Sequence, residues 1–363
     1  MVVVRALVFA GGAFVVVATF GSAVRTVILP RGIPARLGRA VFISMRILFR
    51  LRIGRNATYE RRDRVMAGYA PTSLLTLLVV WIALVLGGYT VMYWSLGGRS
   101  VREAFTLSGS AILTLGFSRP PDLPATVLAF GEAATGLILL AMLITYLPSI
   151  YGAFSRREAA VTALEIRAGT PPSGVEMIQR YWILGRIDQL DEVWIRWEDW
   201  FVDLEETHLS FPALVFFRSP QPDHSWLTAA GAVLDAASLS VAAVDITRNV
   251  RAEFCIRAGY LALRRIASFF GIPYDPDPKR GDPITIARNE FDEACRRLAE
   301  AGVPLKPDLQ AAWLDFAGWR VNYDTVLIAL AGLTAAPYAP WSSDRSLRDW
   351  RPPLIRTRAR ARS

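Results

Sequence analysis

The residues with the clearest chemical potential form a short run, Thr114-Leu115-Gly116-Phe117-Ser118. A threonine hydroxyl and successive backbone carbonyls can replace the hydration shell of a cation when these oxygens point to one axis. Glycine permits the unusual backbone angles that aim consecutive carbonyls to one side. The run therefore predicts a coordination site for a monovalent cation, and we expect no other metal site.

Charged residues next to this run would set the local potential. Arg119 follows it directly, and Asp122 lies three residues further along. Positive charge at the mouth of a pore opposes cation entry, and the aspartate would offset part of it. Ser118 would carry a strain of roughly 1–2 kcal/mol if its backbone had to be left-handed.

Three long uncharged stretches indicate the elements that position these residues. The first, 6–24, is long enough to approach the roughly 30 Å of a bilayer core at about 1.5 Å per residue. The second covers 65–98, and the third, 123–155, is interrupted before its end only by Glu132. Between the last two, segment 104–117 is apolar but too short to cross. The sequence predicts three spans and one short helix that enters the membrane and turns back.

Three residues of the third span have two interpretations each. Glu132 is either a functional ionisable group or a brace that holds the short helix by a buried hydrogen bond. Gly136 is either a hinge or a site of close helix packing. Pro148 either loosens the inner end of the span, with a role in gating, or lies where the helix ends.

The distribution of arginine predicts the orientation. Segment 25–64 contains eleven arginines against Glu60 and Asp63, so we expect it on the cytoplasmic side. The N-terminus is then outside, and all residues after Arg156 and Arg157 are inside. A cleaved signal peptide is the alternative for the first span. Within the basic segment, arginines alternate with apolar residues as in a helix that lies on the anionic inner leaflet: Arg36, Arg39, Arg46, Arg50 and Arg55.

The order of span, short helix, Thr114–Ser118 run and span resembles the bacterial potassium channels with two pore-forming spans and one pore loop in each subunit. The resemblance covers residues 70–160, with Thr-Leu-Gly-Phe-Ser in place of the filter Thr-Val-Gly-Tyr-Gly and Arg119 in place of an aspartate. It implies a selectivity filter at Thr114–Ser118, with potassium as the permeating ion and no other cofactor. A single pore loop in each chain implies a homotetramer.

Residues 158–345 are predicted to form an all-helical cytosolic domain. Tryptophans at positions 194, 197 and 200 are spaced for packing, and the eight acidic residues around them suit a solvated face, a divalent ion or the basic segment. The apolar stretch 226–244 is expected to be the buried central helix, continued by 252–270. Further helices are predicted over 187–208, 283–301 and 307–333.

Several function classes are disfavoured by composition. The chain has a net charge of +9. It contains 41 basic residues, of which only Lys279 and Lys306 are lysine. Two cysteines and two histidines suit a reducing compartment and cannot supply most zinc sites. There is no phosphate-binding glycine motif and no hydrolytic constellation, so we expect no enzyme. The arginine-rich tail is expected to meet anionic lipid rather than nucleic acid.

These observations predict an all-α membrane protein of the bacterial cytoplasmic membrane. Its parts are an N-terminal span (1–30), a basic interfacial segment (31–64), a potassium-channel-like pore domain (65–157), a helical cytosolic domain (158–345) and a basic tail (346–363). The predicted function is a homotetrameric cation channel. The alternative is a non-conducting membrane scaffold or sensor with the same pore fold, in which the cytosolic domain carries the function.

Overall fold

The computed structural model describes residues 2–28, 36–53, 58–247 and 249–345. In this part of the chain the regular structure is helical, apart from one isolated bridge between Val244 and Leu305. The helices, in chain order, are α1 (Val2–Val27), α2 (Arg36–Leu51), α3 (Tyr59–Ala67), α4 (Tyr69–Ser95), α5 (Val101–Ile112), α6 (Leu123–Ala168), α7 (Gly174–Ile183), α8 (Leu190–Ser210), α9 (Trp226–Ala242), α10 (Val250–Phe270), α11 (Arg288–Glu300), α12 (Leu309–Arg320) and α13 (Asp324–Thr334).

Three stretches of helix are long and apolar enough to span a membrane, as predicted. They are α1, the continuous stretch of α3 and α4 over Tyr59–Ser95, and α6. The first is longer than the uncharged stretch 6–24 because Arg5 and Arg25 are included in its terminal turns. The short helix predicted between the second and third spans is α5.

The chain divides into two compact units. Among the described residues, unit 1 contains 2–28, 36–53 and 65–152, and unit 2 contains 58–64, 153–247 and 249–345. The boundary in α6 therefore lies five residues before the predicted 157. Residues 58–64, which were expected to belong to the basic interfacial segment, are part of unit 2 because the buried Asp63 forms an ion pair with Arg218. Arg218 also donates hydrogen bonds to the carbonyls of Thr334 and Ala335 at the end of α13.

In unit 1, α1 packs on α4 at two glycines that the sequence analysis did not single out. A Cβ atom added to Gly12 would lie 2.6 Å from the carbonyl oxygen of Gly88, and one added to Gly88 would lie 3.0 Å from that of Gly12. The backbones of the two helices are thus in direct contact. Small residues commonly permit this approach between helices in membranes. The contact gives α1 a packing role against α4.

Unit 2 is built around α9, whose residues are almost all buried. This confirms that 226–244 contains a central core helix. The three tryptophans of α8 are also buried, at positions 194, 197 and 200, so they pack as expected. Two helix predictions were wrong: α10 is separate from α9, since Asn249 caps its first turn, and 307–333 is divided into α12 and α13 by a turn at 321–323. The basic tail 346–363 and Arg55 lie outside the described residues.

Candidate functional site

The candidate site begins with α5, whose first turn is fixed by a capping box. The Ser100 hydroxyl accepts the Glu103 N–H at 3.3 Å, and the Glu103 carboxylate accepts the Ser100 N–H at 2.8 Å. These two bonds satisfy donors that a helix N-terminus otherwise leaves unpaired. The helix ends at Ile112, and the chain then enters the segment that carries the Thr114–Ser118 run.

Segment 113–118 has an irregular backbone and is not helical. Thr114 and Gly116 have positive φ angles, of 53° and 71°, whereas Leu115 does not. The segment turns back toward the end of α5 because it is hydrogen-bonded to Ser110. The N–H groups of Leu115 and Gly116 donate to the Ser110 carbonyl at 2.9 and 3.4 Å. Its hydroxyl accepts the Ser118 N–H at 3.1 Å. Sequence reasoning missed Ser110, although a serine one turn before a pore-like run is a signal for such a bond.

Thr114 is the strained residue of this segment. A β-branched residue with positive φ is a backbone outlier that costs about 1–3 kcal/mol, and such outliers concentrate at functional sites. Ser118 does not have a positive φ, so the strain considered for it is absent. The side chains of Leu113, Leu115 and Phe117 are 52%, 59% and 65% exposed in the single chain. The segment is therefore ordered by Ser110 and left uncovered on its apolar side.

Asp122 does not offset the charge of Arg119. One of its carboxylate oxygens pairs with Arg99 at 2.8 Å, and the other accepts the Ala125 N–H and caps the first turn of α6. Arg119 is exposed and has no ion pair among the described residues. Each chain thus presents one uncompensated positive charge immediately after segment 113–118.

Glu132 is fully buried and joins three helices. Its Oε1 lies 2.5 Å from the hydroxyl oxygen of Ser108 in α5, and that hydroxyl is also 3.0 Å from the carbonyl oxygen of Leu86 in α4. This is the geometry that the brace interpretation requires. Ser108 lies two residues before Ser110, so the brace acts on the same turn of α5 that holds segment 113–118.

Gly136 lies one turn after Glu132 on α6 and contacts the end of α5. A Cβ atom at this position would lie 2.4 Å from the carbonyl oxygen of Ile112 and 3.1 Å from its Cγ1. The contact supports the close-packing interpretation of Gly136. Ser108 and Ile112 are also one turn apart, so Glu132 and Gly136 together fix the C-terminal half of α5.

Pro148 lies inside α6, which continues to Ala168. The helix therefore does not end at this residue, and the carbonyl of Ile144 loses its usual donor. The hydroxyls of Thr145 and Ser149 donate to backbone carbonyls around the proline, at 3.1 Å to Ala141 and Thr145 respectively.

Unit 2 contains two buried polar networks. Arg157 donates to the carbonyls of Leu214 and Phe217 at 2.9 and 2.7 Å and pairs with Glu158. Its guanidinium also lies 3.2 Å from Nε2 of the buried His208, whose Nδ1 is 2.8 Å from the carbonyl of Leu204. Burial and the nearby guanidinium hold the pKa of His208 well below its usual value.

A second network surrounds the buried Arg320 of α12. Its guanidinium pairs with Asp235 of the central helix and with Asp324 at the start of α13, and it donates to the carbonyl of Trp341. The Tyr323 hydroxyl donates to Asp235 at 2.9 Å. Burying an arginine is tolerated only with such partners, so these groups specify how α9, α12 and α13 pack. Within the described ranges no group of histidine, cysteine and acidic residues is arranged to hold a metal ion.

Comparisons of the chain with protein-family models, with curated proteins and with solved structures find no match.

Proposed function

We propose that four copies of this chain form a cation channel that conducts potassium, with segment 113–118 as the filter and α4, α5 and α6 as the frame of the pore. The main observation that supports this proposal is the irregular backbone after α5. Backbone that is not helical is tolerated at membrane depth only where protein buries it or where it lines a water-filled cavity. In the single chain this segment has an exposed apolar side, and further copies of the chain would supply the missing cover.

The alternating backbone of the segment supports a coordinating role. A positive φ at Thr114 and at Gly116, with Leu115 between them, is the kind of alternation that turns successive carbonyls toward one side. In this shape the backbone of Thr114 is strained. The filter role and the choice of potassium both rest on this geometry together with the resemblance of the sequence to potassium channels.

A second candidate is a non-conducting scaffold with the same pore fold. It is favoured by Arg119, because four copies would place four positive charges beside the filter and Asp122 is already paired with Arg99. The two candidates differ in one measurable quantity, which is the flux of potassium through the assembled protein.

The first experiment is potassium flux in liposomes that contain purified tetramer, with Gly116→Ala as the test variant and Gly109→Ala as its matched control. A new Cβ atom has no neighbour within 4 Å in the single chain at either position, but only Gly116 has a positive φ. The alanine at 116 would cost about 1–2 kcal/mol in that conformation. We expect flux in wild type and in Gly109→Ala, and loss of flux in Gly116→Ala. Absence of flux from folded wild-type tetramers would favour the scaffold, and a monodisperse monomer would exclude the central pore.

The second experiment tests the proposed orientation, with the N-terminus outside, unit 2 in the cytoplasm and α2 on anionic inner-leaflet lipid. The native Cys255 and Cys295 are buried, and burial raises the pKa of both thiols, that of Cys295 to about 11. The two native cysteines should therefore not react with an impermeant thiol reagent. A cysteine at Ser100 should be labelled from outside intact cells, and one at Ser173 should not. The reverse pattern would contradict the orientation.

A further inference from the structure

Four oxygen atoms form a chain of contacts between α4, α5 and α6. Glu132 Oε1 lies 2.5 Å from Ser108 Oγ, Ser108 Oγ lies 3.0 Å from the Leu86 carbonyl oxygen, and Thr90 Oγ1 lies 2.7 Å from the same carbonyl. Contacts of this length between oxygen atoms are hydrogen bonds, and each of them needs one hydrogen atom. Three contacts therefore need three hydrogens.

The hydroxyl groups supply only two of these hydrogens. The Thr90 hydroxyl donates to Leu86, the Leu86 carbonyl has no hydrogen to give, and the Ser108 hydroxyl has a single one for two contacts. The third hydrogen must then be carried by Glu132. We propose that Glu132 is a neutral carboxylic acid that donates to Ser108, so that Ser108 can donate to Leu86, and that this relay positions α5 for the filter.

The surroundings of Glu132 give a second, independent reason for the neutral form. The polar groups that face it are Ser108 from α5 and the phenols of Tyr89 and Tyr93 from α4. No cationic side chain pairs with it among the described residues; Arg99, which donates to the Tyr93 carbonyl, is paired with Asp122. An ionised carboxylate that is buried without a cationic partner is costly, whereas a neutral carboxylic acid costs far less to bury.

The consequence for the pore rests on the proposed function. Ser108 is one residue removed from Gly109 and two from Ser110, whose carbonyl and hydroxyl hold segment 113–118. Ionisation of Glu132 would remove one of the three hydrogens and add a buried charge, which releases α5 from α4. We therefore expect alkaline pH to loosen this contact and to reduce flux.

An infrared measurement on the full-length protein tests the protonation state directly. Glu132→Gln keeps a donor in the place of the acid and cannot ionise, so it should preserve the tetramer. The spectrum of wild type minus Glu132→Gln at neutral pH should contain the carbonyl stretch of a protonated carboxylic acid. The control Glu300→Gln removes an exposed, salt-bridged carboxylate, and its difference spectrum should show carboxylate bands alone.

Stability and flux test the positioning role. The thermal midpoint of wild type should fall as the pH rises above about 4.3, because a glutamate of the unfolded chain then ionises while Glu132 of the folded protein stays neutral. The midpoint of Glu132→Gln should lack this decline, and Glu132→Leu should be less stable at all pH values. Flux should follow the same order. A carboxylate band for Glu132 at neutral pH would overturn the proposal. If the acid band is present but neither protein conducts at any pH, the channel function fails and the neutral relay stands.

Discussion

The contact between Gly136 and Ile112 predicts a sharp effect for one methyl group. In Gly136→Ala the new Cβ atom would lie 2.4 Å from the Ile112 carbonyl oxygen, whereas ordinary contact begins at 3.4 Å. The end of α5 must therefore move by about 1 Å, and this end leads directly into segment 113–118. Displacing a well-packed backbone in this way costs about 1–3 kcal/mol.

The matched control is Gly131→Ala, five residues earlier in the same helix. The Cβ atom there would meet only the Tyr89 hydroxyl, at 3.4 Å. Both changes bring the same gain in helix propensity, about 1 kcal/mol, so the difference between them isolates the steric contact. A cost of about 1–3 kcal/mol on the conducting arrangement alone shifts its equilibrium with other arrangements by roughly 5- to 150-fold.

The assay is potassium flux per tetramer in liposomes, with the oligomeric state of each variant verified in detergent. We expect flux to fall by up to that factor in Gly136→Ala and to stay within twofold of wild type in Gly131→Ala. Equal, undiminished flux in both variants would refute the argument, since it would mean that the end of α5 does not need its observed position. Equal loss in both would point to a hinge in α6 rather than to a contact at Gly136.

Three further predictions follow from single contacts. Arg119→Asp should increase cation flux, most strongly at low salt where screening is weakest; no change would show that this residue is remote from the ion path. His208 stays neutral in the folded protein but takes up a proton on unfolding below about pH 6.5. Acidification should therefore lower the free energy of unfolding by up to about 1.4 kcal/mol per pH unit, and with it the thermal midpoint, and His208→Gln should remove this contribution. Gly12→Leu should separate α1 from α4 and lower the yield of folded protein, whereas Gly11→Leu, with open space around it, should not.

Much of the architecture could be predicted because it depends on hydropathy and length. The three spans and α5 follow from uncharged stretches and from the short apolar segment between them. The core helix α9 could be distinguished from a span because charged residues follow it at once. These features need no knowledge of which side chains meet.

The remaining features depend on contacts between distant residues. The shape of segment 113–118 follows from its hydrogen bonds to Ser110. Within the described part of the chain, the positive charge of Arg119 beside the segment stays unpaired because Asp122 pairs with Arg99. The crossing of Gly12 and Gly88 requires the mutual rotation of two helices, which hydropathy does not encode. The split between α12 and α13 lies at the turn 321–323, beside the buried pair of Arg320 and Asp324, and neither was visible in the pattern of apolar residues.

The ion pair between Asp63 and Arg218 has a consequence for folding during synthesis on the ribosome. The two residues are separated by 155 positions, and the whole of α4, α5 and α6 lies between them. At typical elongation rates of about 5–20 residues per second, Asp63 waits roughly 8–30 s for its partner to emerge. Helices α4, α5 and α6 are therefore synthesised while Asp63 of α3 still lacks its partner. The ion pair therefore forms late in synthesis. Until then α3 lacks this contact and is accessible to a chaperone or a protease.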